Sequence, residues 1–115
     1  MRLGHIAIFS VDPEKALALY RDILGFSPTA RQGEMIWVQL DDLEILIRPR
    51  QPPNPASRYE ESATGIVPYT DHRDALLEEL QNRGLQIRDT ADSDKCFTFT
   101  DLDGNGHLLD NPADH

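Results

Sequence analysis

The chain has 115 residues, enough for one domain that could be built from two halves. Its 20 Asp and Glu outnumber 11 Lys and Arg, giving a formal charge of −9. That balance argues against a general nucleic-acid binder, which needs clustered Lys and Arg for phosphate contacts, and is compatible with a cationic small-molecule ligand. No apolar run reaches the roughly 18 residues of a membrane span. Met1-Arg2-Leu3-Gly4-His5 lacks the layout of a secretory leader, and the lone Cys96 allows neither an intrachain disulfide nor a thiolate cluster, so a cytoplasmic protein is expected.

His5-Ile6-Ala7-Ile8-Phe9 reads as a buried strand. Asp12-Pro13 then opens a helix: aspartate suits the N-cap, and proline suits the first helical position, where no N–H is needed. Ala16, Leu17, Tyr20, Ile23 and Leu24 form its apolar stripe, and Gly25 ends it. Ser27 to Gln32 reads as an exposed edge strand turning at Gly33. Met35 to Leu40 and Leu43 to Arg48 form a hairpin across Asp41-Asp42.

Residues 49–63 hold Pro49, Pro52, Pro53 and Pro55, which cannot donate ladder hydrogen bonds, so a linker is expected. Thr64 to Tyr69 reads as a strand, and Asp71 as the cap of a helix reaching Arg83, closed by Gly84. Leu85 to Arg88 and Lys95 to Thr100 read as strands. Asp101-Leu102-Asp103-Gly104-Asn105 is a turn, whose Asp and Asn bond local backbone while Gly tolerates positive φ. That explains the segment better than a calcium loop, since the distal glutamate of an EF-hand is missing. His107 to Asp110 is the last strand.

Two stretches echo each other about half a chain length apart, ALALYRDILGF (Ala16 to Phe26) and ALLEELQNRGL (Ala75 to Leu85). Both follow an apolar run ending in aspartate, and both stop at glycine followed by an apolar residue. The predicted order is therefore β-α-β-β-β twice: an α+β fold in one domain, with a first module over 1–48, the linker over 49–63 and a second module over 64–115. Each unit is too small to bury a large core alone, so self-association is expected and function belongs in a cleft.

HIAIFSVDPEKALALYRDILGF resembles the opening of the vicinal oxygen chelate superfamily, the glyoxalase/bleomycin-resistance/dioxygenase group. DLDGNGHLLDNP is similar to its closing motif, usually Asp-Pro-Asp-Gly-Asn before a strand. The resemblance covers nearly the whole chain. It implies paired βαβββ modules whose curved sheets form a cup, often completed by a second subunit, so a homodimer is expected. In the family's enzymes a divalent metal sits in the cup, held by His and Glu from both modules, and acts as a Lewis acid on vicinal oxygens.

The resemblance places four ligand positions at His5, Leu46, Gly65 and Leu108, so one donor of four is retained. Divalent metal sites need three or more converging protein donors. Glu44 shares a strand face with Leu46, and Asp110 with Leu108, but each lies roughly 6–7 Å along its strand from the family position. The resemblance thus implies a metal-free binding protein of the bleomycin-resistance type, with no cofactor and a small-molecule ligand near His5, Trp37, Arg48, Tyr69 and Asp110. A metal-dependent lyase, isomerase or extradiol-type dioxygenase using His5 with Glu44 and Asp110 is the alternative. Trp37 is a stacking platform or a core residue; Arg48 and Tyr69 are ligand contacts or rim residues. Glycine at position 65, in place of a bulky histidine, is expected to enlarge the cavity.

Overall fold

Apolar alternation along Ile6–Ser10 (β1), Met35–Leu40 (β3) and Leu43–Pro49 (β4) builds one sheet together with Ser27–Gln32 (β2), in the order β1-β4-β3-β2. The computed structural model describes residues 1–50, 59–62, 64–87, 89–91 and 95–114. The chain divides into two compact units, Met1–Pro53 and Asn54–His115. Among the described residues no helix is long and apolar enough to cross a membrane.

In the first unit β1 runs parallel to β4, with Ile6 opposite Ile45 and Ile8 opposite Ile47. β3 runs antiparallel to β4, setting Ile36 against Ile47 and Val38 against Ile45. Ile8, Ile36, Val38, Ile45 and Ile47 thus share one face and are almost fully buried. Each such side chain contributes roughly 1.5–3 kcal/mol by leaving water.

The helix packed on that sheet begins as predicted. The Asp12 carboxylate accepts the Lys15 N–H, and Pro13 opens Pro13–Leu17 (α1). Ala16, Leu17 and Tyr20 are buried, whereas Ile23 and Leu24 are half-buried. Ala18–Ile23 winds as a π-helix, with the Leu24 N–H reaching back to the Leu19 carbonyl at 3.0 Å. Gly25 takes φ +87°, allowing the Phe26 N–H to bond the Tyr20 carbonyl at 2.8 Å and the two rings to meet edge-on at 5.8 Å. β2 is exposed throughout, and its edge is blunted by Pro28 and a register shift between Pro28 and Ala30. The β3–β4 hairpin turns at Asp41, whose φ is +50°.

The second unit repeats the order with shorter strands. Arg73–Asn82 (α2) precedes Asp89–Thr90 (β5), Phe97–Thr100 (β6) and Gly106–Leu109 (β7), and the sheet runs β5-β6-β7. Residues 64–70 lie along β7. The amides of Gly106, Leu108 and Asp110 donate to the carbonyls of Thr64, Ile66 and Pro68, and Tyr69 forms a parallel bridge with Asp110. The neighbour order is then that of the first sheet.

Among the boundaries that differ from the sequence reading, three shape the second unit. Thr64 to Tyr69 is strand-like only at the Tyr69 bridge, because its amides lack a regular ladder. The α2 N-cap is His72 rather than Asp71; its own amide donates to the Thr70 hydroxyl at 3.0 Å. Residues 85–87 are not a strand, since the Leu85 N–H is spent closing the helix on the Leu80 carbonyl. Arg88, residues 92–94 and most of the Pro-rich segment lie outside the described residues.

Candidate functional site

The face of the first sheet opposite α1 carries its more accessible side chains, around a buried Leu46. Strand alternation puts Trp37 and Gln39 on it from β3, and Glu44, Leu46 and Arg48 from β4. Trp37 is half-buried opposite Leu46, and Leu46 lies opposite Ala7. His5, just before β1, sets its ring edge-on to Trp37, with centroids 4.5 Å apart and planes at 75°. Arg48 is exposed and pairs in register with Phe9. Glu44 is half-buried opposite Gln39.

In the second unit Tyr69 is 70% exposed and bridges Asp110. The Asp110 carboxylate accepts from the Cys96 thiol at 3.5 Å. Of the sequence-selected residues, the structure therefore brings His5 to Trp37, and Tyr69 to Asp110.

Gly65 has a different reason from the one its position suggested. A Cβ there would sit 1.5 Å from the Gly106 carbonyl oxygen, and a Cβ on Gly106 would sit 2.3 Å from Ser62 Oγ. Glycine lets two backbones approach closely here; it does not simply vacate space. An open cavity of about 320 Å³ lies alongside, lined by Tyr59, Glu60, Ser62, Thr64, Gly65, Val67 and Gly106.

His107 is the residue sequence reasoning passed over. Its ring is buried, and its Nδ1 accepts the Ile66 N–H at 3.0 Å, so the neutral ring carries its proton on Nε2. Burial pulls its pKa from 6.5 down to about 4, against the upward pull of the Asp101 carboxylate. Asp101 is itself occupied: Oδ1 accepts the Asp103 and Asn105 amides, and Oδ2 accepts the Asn105 side-chain amide. The 101–105 segment is thus a self-bonded turn, with Gly104 at φ +85°. Helical or strand spacing carries no signal for the His107 bond, because it joins residues far apart in sequence.

The donor set does not fit the family's metal. Leu46 and Leu108 are buried hydrocarbon, and position 65 has no room for a side chain. His107 spends Nδ1 on backbone, and Asp110 accepts from a thiol. Among the described residues no three His, Cys, Asp or Glu side chains group to hold an ion.

Solved structures share this architecture. A lactoylglutathione lyase from Agrobacterium tumefaciens matches with TM-score 0.72 and 16% identity, over 96% of this chain and 93% of that one. A genomically encoded fosfomycin resistance protein from Listeria monocytogenes matches with TM-score 0.76 and 15% identity, over 96% and 93%. An integron cassette protein from Vibrio cholerae matches with TM-score 0.67 and 17% identity, over 97% and 98%. At these identities the likeness is one of fold. Comparison with curated proteins finds no match. Residues 2–109 match the Glyoxalase/Bleomycin resistance protein/Dioxygenase superfamily, and the chain belongs to it.

Proposed function

We propose that the protein captures a small organic molecule by shape and contact, without a metal and without making or breaking a bond. The observation that carries this reading is the fate of the four family ligand positions: one exposed imidazole at His5, two buried leucines, and a glycine pressed against a carbonyl. A lone imidazole cannot gather the three or more donors a divalent ion needs. The contacts left to the first unit are a stacking ring at Trp37, the His5 edge and the Arg48 guanidinium. Tyr69 and Asp110 are the second unit's candidates.

A ligand that binds only the folded state raises the melting temperature by mass action. Screening metabolites and antibiotics by thermal shift, with and without EDTA, tests the reading. Stabilisation that persists in EDTA and weakens in Trp37→Ala is expected. A shift that vanishes in EDTA and returns with zinc, nickel, iron or manganese would support the metal-dependent enzyme instead.

A further inference from the structure

Arg48 and Arg50 stand two residues apart at the end of β4, so they share one side of the sheet. The Arg50 guanidinium carbon lies 3.7 Å from the Phe9 ring centroid, a cation–π distance, and Phe9 is the β1 partner of Arg48. The Arg50 N–H donates to the Ser10 carbonyl at 2.9 Å, which ties this backbone to β1. Both positions are thus held by the sheet, and one head group is held by a ring.

Neither guanidinium forms an ion pair among the described residues. Four other arginines do: Arg21 with Asp22, Arg31 with Glu14, Arg73 with Asp74 and Arg83 with Glu79. The chain has 20 acids to 11 bases, yet the two arginines beside Phe9 pair with no carboxylate among the described residues. Adjacent like charges repel, and an oxyanion accepting from both relieves that repulsion. Arginine's planar fork matches carboxylate and phosphate-type oxygens in a way lysine's does not. Farther along the same face, past Ala7 and Leu46, stand Trp37 and the His5 ring against it.

We propose that Arg48 and Arg50 form the anion-recognising end of the ligand site on the open face of the first unit, and that the ligand is a small organic anion, a carboxylate or phosphonate on a flat apolar body directed toward Trp37. This rests on the capture reading above and assigns it a ligand class. The local sign opposes the whole-chain charge. Exposed charges beyond about 8 Å are largely screened at physiological salt, so the pair in contact with the ligand outweighs the distant acid excess.

Trp37 is the sole tryptophan, so its fluorescence reports on this face. Phenylphosphonate, benzoate and benzylamine are titrated in EDTA against the wild-type protein and an Arg48→Gln/Arg50→Gln double variant whose melting temperature is measured alongside. Saturable quenching by an anion is expected, with the tighter of the two identifying the head group. The double variant should weaken it by about tenfold or more, the loss of one or more charge-assisted hydrogen bonds. Benzylamine binding as tightly as both anions, anion affinity unchanged in the double variant, or no saturable anion binding would each overturn the assignment. Ligands from the wider thermal-shift screen that still stabilise the double variant would leave metal-free capture standing and remove only the anion.

Discussion

The two units follow one β-α-β-β-β order but are held together differently. In the first, four strands form continuous ladders broken by one register shift in β2, and isoleucines from three of them are buried, as are Leu17 and Tyr20. In the second, residues 64–70 join β7 through a half-ladder, and the Ile66 amide bonds an imidazole where a regular strand would meet a carbonyl. A further polar anchor, from the Ser62 hydroxyl to the Gly104 carbonyl, stands near the glycine contact. Apolar periodicity specifies the first kind of assembly; single irreplaceable groups specify the second.

The largest effect should come from breaking the glycine contact. Gly65→Ala puts a methyl into the Gly106 carbonyl and should cost about 3 kcal/mol or more in urea denaturation, beyond ordinary overpacking because backbone must move. Gly4→Ala, where nothing lies within 4 Å, is the silent control in the first unit. Next, Leu17→Ala in the first core should cost roughly 3 kcal/mol, the usual loss for a fully buried leucine.

A pH series sharpens the comparison further. The folded state keeps His107 neutral down to about pH 4, whereas the unfolded chain takes up a proton near 6.5. Between those values the unfolded state binds more protons, so stability falls as pH falls. At about 1.4 kcal/mol per pH unit the loss approaches roughly 3 kcal/mol by pH 4. His107→Phe should remove that part of the slope while costing about 1–3 kcal/mol at neutral pH, since the Ile66 amide loses its acceptor. The smallest change is Asp12→Ala, worth about 1 kcal/mol for a lost N-cap and visible as a small shift in the urea midpoint.

The same contrast explains what could be read from the sequence. The Asp12-Pro13 start, the Gly25 stop, the exposed β2 edge and the hairpin at Asp41 were legible because each rests on a residue with a local backbone preference. The π-helical turns over Ala18–Ile23 were not, since a one-residue shift in hydrogen bonding leaves the apolar stripe nearly unchanged. Alternation left Trp37 between a stacking platform and a core residue, and Leu85 and Ile87 imitated a strand where the chain was closing a helix. His107 stayed hidden because its partner is an amide on another segment. Arg50 fell inside a stretch defined by its prolines, so its place over Phe9 could not be seen.

Metal stoichiometry is the most direct test of capture without an ion. Untagged protein is dialysed against zinc, nickel, iron and manganese in turn and assayed by mass spectrometry, beside His5→Ala. Far less than one ion per chain, and no difference between the two proteins, is the predicted result. One tightly held ion per chain that disappears with His5 would contradict it.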